Sequence, residues 1–358
     1  MNCRFQEHVA QRPEPLTQEM SVMCMNQTTN IAGAVEQLVA GNNILIEDFY
    51  DTGMKLMFAV RKYLQKDYPA EQFSDQRKFK DEYYKLSQRV FLEIRNNKIA
   101  VRKAPSIGWL IHLYPDVADF FLTFSQVQGL NSSWQWYKKG IFIPFLKRKI
   151  FPFYNTYFPT RYEHLELFEQ WIIKYQGKRK SAYDIGAGSG ILSYKLHDEG
   201  FEKIFSTDNN INAIIGINNE ISTNSLKDIE LSYGDLFADF QNKSELIVFN
   251  PPWIAAPDDN MSGLDTAIYY PGDLFPRFFE QSLQRLDDDG KIILLFSNLG
   301  QIANQSELNP INEELKKQAR LKLDFIEKKK VKPASVKTRR SKIHRLEERV
   351  ELWQLSKK

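Results

Sequence analysis

Five short apolar runs with β character succeed one another in the second half of the chain. They are Ser181–Ile185, Lys203–Asp208, Ile229–Tyr233, Glu245–Asn250 and Lys291–Ser297. Helical segments lie between most of them, and an amphipathic helical pattern, His164–Tyr175, precedes them. Strands that alternate with helices are expected to run parallel, because each helical crossover returns the chain to the same end of the sheet. The spacing therefore predicts an α/β fold with helices on both faces of a parallel sheet. Two further runs, Leu321–Glu327 and Val350–Leu355, have no helix between them. They predict an antiparallel hairpin at the sheet edge.

Upstream the patterning is different. Residues 1–45 are polar and weakly periodic, and predict a poorly ordered or loosely docked arm. Residues 46–150 carry helical spacing in Met54–Leu64 and Glu82–Ile94, and predict a mainly helical substrate-recognition domain. Trp134–Phe158, rich in aromatics, Lys and Pro, reads as a connector into a catalytic domain over 151–358. The most apolar stretch, Ile107–Phe124, contains His112, Pro115, Asp116 and Asp119. Those residues are too costly in lipid, so a buried helix or helix–turn–helix is expected, with no membrane span. Residues 1–20 lack the apolar core of a secretory signal, and a cytoplasmic location is expected. The two cysteines, Cys3 and Cys24, and five scattered histidines offer no ligand spacing, so no metal is expected. Nine Lys or Arg and no acid fall within 328–345. That run suits a phosphate backbone, and it suits equally a solvated loop between edge strands.

Four motifs carry chemistry. Asp184-Ile185-Gly186-Ala187-Gly188-Ser189-Gly190 joins a strand to a helix. Its glycines allow a sharp turn and close approach of a ligand to backbone N–H groups, or simply a tight turn. A dinucleotide fingerprint would place Gly at 191, where this chain has Ile. Asp208, about twenty residues on, ends the second strand and suits a ribose diol, with Asn209 beside it. It also suits a helix N-cap. Gly234-Asp235-Leu236 follows the third strand. Asp235 could accept from an adenine amine with Leu236 against the ring, or be a turn Asp. Asn250-Pro251-Pro252-Trp253 ends the fourth strand. The prolines stiffen the turn, the Asn250 amide supplies an acceptor, and Trp253 supplies a flat face for a planar group.

Together these motifs resemble the class I S-adenosylmethionine-dependent methyltransferases over residues 155–358. The resemblance implies a Rossmann-like seven-stranded sheet with a terminal antiparallel hairpin. It implies S-adenosylmethionine held by Asp184, Gly186, Ala187, Gly188 and Gly190, by Asp208 and Asn209, and by Asp235 and Leu236. Asn250-Pro251-Pro252-Trp253 resembles the tetrapeptide of enzymes that methylate planar nitrogens, namely nucleobase amines and glutamine amides. Phe158-Pro159-Thr160-Arg161-Tyr162-Glu163-His164 is similar to a segment of the HemK-like glutamine methyltransferases, and on that likeness Arg161 joins the cofactor set and Asn250 borders it. It departs from them in an inserted Thr and in His164 near the expected Thr-Glu. The implied substrate is a macromolecule, RNA, DNA or protein, with a small metabolite as the alternative. A non-catalytic partner-binding subunit would be expected to have lost part of the motif set.

Overall fold

The computed structural model describes residues 9–18, 20–68, 73–256, 267–303, 308–317, 320–332 and 347–358. The chain divides into two compact units, Val9–Lys138 and a unit containing Lys139–Lys358.

The first unit holds β1 (Met23–Met25), α1 (Ile31–Val39), β2 (Ile44–Ile46), α2 (Tyr50–Asp67), α3 (Phe73–Ser87), β3 (Val90–Arg95), β4 (Lys98–Ile99), α4 (Trp109–His112), β5 (Phe120–Thr123) and α5, which runs from Phe124 to Lys139. Its helices cover a five-stranded sheet in the order β1-β2-β3-β4, with β5 also on β3. The expected arm is corrected here: residues 23–46 are ordered. Asn30 caps α1 by accepting from the Ala32 and Gly33 N–H groups, and β1 and β2 pair in parallel with Met25, Ile44 and Ile46 buried. The Glu82–Ile94 helical pattern also breaks. It fuses the end of α3 with β3, whose Val90, Leu92 and Ile94 face the core at a period of two. Ile107–Phe124 likewise resolves into the one-turn α4 and the strand β5. Among the described residues no helix is long and apolar enough to cross a membrane.

The second unit opens with the hairpin β6 (Ile141–Ile143) and β7 (Arg148–Ile150), so it begins before residue 151. It continues through α6 (Glu163–Ile172), β8 (Ala182–Ile185), α7 (Ile191–Asp198), β9 (Ile204–Asp208), α8 (Ile211–Asn224), β10 (Ile229–Tyr233) and β11 (Ser244–Phe249). Then come β12 (Ile254–Ala255), β13 (Tyr269–Tyr270), α9 (Leu274–Arg285), β14 (Leu286–Ser297), α10 (Leu299–Ala303), α11 (Pro310–Lys317), β15 (Leu321–Lys330) and β16 (Arg349–Lys357). Seven strands form one sheet in the order β10-β9-β8-β11-β14-β16-β15. The first five are parallel, and β16 is antiparallel to both β14 and β15. Alternation along each strand feeds two cores. Ala182, Leu246, Val248, Ile293 and Leu295 meet α6 and α7 on one face. Tyr183, Ile185, Ile247, Phe249 and Leu294 meet Phe275, Phe278 and Phe279 of α9 on the other. A strand buried on both faces reads in sequence as a continuous apolar run, as in Leu246–Phe249 of β11 and Ile292–Phe296 of β14.

The strand order reverses between β8 and β11, which pair with Phe249 opposite Ile185. In open parallel sheets the crevice beyond the strand ends at such a reversal is where ligands bind. The segments leaving β8 and β11 there are Gly186–Gly190 and Asn250–Trp253.

Candidate active site at the strand ends

A cavity of about 610 Å³ opens at this reversal. It is lined by Gly186, Ala187 and Gly188 after β8, by Asp208 and Asn209 after β9, and by Asp235 and Leu236 after β10. Asn250, Pro251, Pro252 and Trp253 after β11 complete the inner wall, and Arg161 stands at the entry to α6.

The glycine loop is held from below and from the side. Gly188 has φ +55°, and its N–H donates to Asp208 Oδ2 at 2.7 Å. A Cβ at 188 would reach within 3.4 Å of the Tyr157 carbonyl oxygen, so the loop passes tightly beneath residues 153–161. That strap is itself fixed, because the Asn210 side chain donates to the Asn155 carbonyl at 2.7 Å. Asn210 also caps α8 by accepting from the Asn212 N–H. The cap is thus supplied by Asn210, two residues on, and Asp208 lines the cavity. Both Asp208 oxygens already accept a backbone N–H, from Gly188 and from Asn210. A carboxylate has about four acceptor sites, so two remain for a diol. Burial pushes this carboxyl's pKa up.

Two residues expected to contact the cofactor do not line the cavity. Asp184 is fully buried under the loop and does not line the cavity; one of its oxygens accepts from Ser193, and the other meets no partner among the described residues. Burial raises its pKa to about 7. Its position in the middle layer of the sheet, one residue before the strand end, points it into α7. Gly190 is also outside the lining. It starts α7 at φ +78°, where a Cβ would lie 2.6 Å from the Tyr194 ring, so it is required for packing. Asp235 does line the cavity, yet it is engaged by Arg277 of α9, which also pairs with Asp273. Arg277 lies 42 residues beyond Asp235. No local motif could have joined them.

At the other end, Arg161 pairs with the buried Glu348 at 3.2 Å, and both border the cavity. The Asn250 side-chain oxygen is buried and accepts from no group among the described residues. Trp253 is committed to the protein. Its Nε1–H donates to the Leu295 carbonyl at 3.2 Å, and its ring packs at 86° to His164, with centroids 5.3 Å apart. Of the basic 328–345 run, Lys328 pairs with Glu351 and Lys329 with Glu166. Residues 333–346 lie outside the described residues.

Residues 167–321 match the model of the family described as methyltransferase small domain. A curated relative from Methanocaldococcus jannaschii carries the provisional name protein N5-glutamine methyltransferase. It is 27% identical over 158 residues, 42% of this chain and 79% of its own. Among solved structures, a ribosomal protein L11 methylase from Lactobacillus delbrueckii subsp. bulgaricus aligns at 22% identity with a TM-score of 0.37. That alignment covers 57% of this chain and 81% of that one. A protein from Pyrococcus horikoshii titled an RNA methyltransferase aligns at 15% and 0.38, over 54% and 82%.

Proposed function

We propose that this enzyme, a class I methyltransferase, takes its methyl group from S-adenosylmethionine and delivers it to a planar nitrogen, the side-chain amide of a protein glutamine. The observation that carries this reading is the Asn250 carboxamide oxygen, a buried acceptor on the cavity wall with no partner among the described residues. A buried acceptor left unmet costs about 1–3 kcal/mol, so its partner is expected to arrive with the substrate. An incoming NH2 group supplies the donor it lacks. The provisional name of the Methanocaldococcus relative favours a glutamine amide over a nucleobase amine.

The cavity fits the cofactor. Its volume lies in the range of small-molecule sites. Gly186, Ala187 and Gly188 would face the amino-acid end, with Arg161 near its carboxylate. Asp208 and Asn209 would take the ribose hydroxyls, and Leu236 would pack on the adenine. Asp235 would reach the adenine amine only by sharing itself with Arg277. When bound, S-adenosylmethionine supplies a methyl already activated by its sulfonium. The chain's own task is then to orient the nitrogen and exclude water. As the nitrogen gains positive charge, the Asn250 oxygen stabilises it as a fixed acceptor. The prolines at 251 and 252 hold that acceptor in place by stiffening the strand end.

Calorimetry should show S-adenosylmethionine binding that Asp208→Ala weakens by tenfold or more. Asn250→Ala should cut transfer at least a hundredfold and leave cofactor affinity near that of the native chain. Retained turnover would remove Asn250 from the chemistry. Tritium from labelled cofactor, transferred to lysate, should be released by protease and survive nuclease; the reverse would replace the amide with a nucleobase amine.

A further inference from the structure

One polar side chain on the cavity wall stands apart from those that would hold the cofactor or the nitrogen. His164 is the second residue of α6, and it borders the same cavity as the tetrapeptide. It is 2% exposed, and neither ring nitrogen has a hydrogen-bond partner among the described residues. The adjacent carboxylate, Glu163, accepts from the Lys332 N–H through Oε1. Leaving a buried polar atom unmet is costly, and a Phe ring could fill similar space against Trp253 without that cost. Burial holds the imidazole neutral, with a pKa lowered to about 4. A neutral imidazole presents one N–H donor and one acceptor.

We propose that His164 is a second substrate-binding residue, whose ring N–H donates to the carbonyl oxygen of the carboxamide that Asn250 holds by its NH2 group. The inference rests on the planar-nitrogen reading above and deepens it. A carboxamide places an acceptor one bond from its donors. Asn250 offers its buried oxygen to the donors, which leaves the substrate carbonyl in need of an N–H. His164 and Trp253 are in ring contact, so the imidazole belongs to the same wall as the tetrapeptide. Trp253 packs against both core clusters and is fixed through its own N–H. The indole is thus part of the wall rather than a free stacking platform. A compact side-chain amide needs no such platform, whereas a base does.

The test uses the full chain, ¹⁵N-labelled, saturated with S-adenosylhomocysteine and titrated with N-acetylglutamine methylamide. Long-range ¹H–¹⁵N spectra read the imidazole rings, and His164 is assigned by the signals lost in His164→Phe or, should that variant not fold, in His164→Asn. The amide should shift the His164 ring resonances. His164→Phe should weaken amide binding about tenfold or more, and His164→Asn, which restores a donor, should recover part of it. Amide binding that leaves the ring resonances unmoved, with unchanged affinity in His164→Phe, would reduce His164 to packing. Resonances that respond to adenosine and not to the amide would overturn the carboxamide class. No response to either would overturn the pairing. Failure of the proposed function reads differently: nuclease-released tritium would overturn glutamine transfer itself, whereas protease-released tritium alongside a silent His164 would keep it and discard only this residue's role.

Discussion

At the scale of single residues, the buried acid Asp184 gives the sharpest expectation. Its pKa stands at about 7 in the folded chain, against 3.8 ordinarily, because burial penalises its charge. Between roughly pH 4 and pH 7 the folded state therefore keeps a proton that the unfolded state has released. Stability contributed by this group falls as pH rises through that window, and the full cost stands above pH 7. Asp184→Asn keeps an acceptor for Ser193 and removes the titration. Thermal melts of the variant should lie above the native chain at pH 8, and the gap should close toward pH 4. Parallel curves for the two proteins would show that Asp184 is not the group responsible. The sequence marks this aspartate as a cofactor contact because an acid before a glycine loop has that role in the family it resembles. Which way the side chain turns at the end of β8 depends on Ser193, nine residues further on. Spacing alone does not encode that.

At the scale of elements, the central strands of the seven-stranded sheet were legible because a strand buried on both faces is largely apolar, whereas the β6–β7 hairpin lies in a stretch that reads as a connector. The first unit was less so. Its β1 and β2 are three residues each, too short to show a period. Its β3 follows α3 closely enough for one apolar pattern to run through both. The terminal hairpin was foreseen, and its central strand bears a specific load. Trp353 of β16 is 1% exposed, lies opposite Leu294 and Ile326, and donates its indole N–H to Glu351. Trp353→Ala should cost about 3–5 kcal/mol, read as a lowered denaturant midpoint at an unchanged slope. A loss under 1 kcal/mol would mean that the hairpin is not integral to the sheet.

At the scale of the whole molecule, binding energy and stability are linked. The cavity at the strand ends lies wholly within the second unit, between segments that leave four different strands. S-adenosylmethionine at a hundredfold excess over its dissociation constant should stabilise that unit by about 2.7 kcal/mol. Scanning calorimetry should show the rise in the native chain and lose it in Asp208→Ala. An equal rise in both would point to binding elsewhere. Much of the site was readable because those four segments each follow a recognisable strand. The pairs Arg277–Asp235 and Arg161–Glu348 were not, since they join positions brought together only by the completed sheet. The two ends of the Asn210 amide serve different masters: the oxygen caps α8, and the nitrogen holds the strap at Asn155. Slow hydrolysis of that amide to a carboxylate would spare the first bond and set like partial charges against each other in the second. Chemical ageing at one atom would thus unlatch the cavity roof while leaving every helix intact. Peptide mapping of stored protein against its residual cofactor affinity would read that change directly.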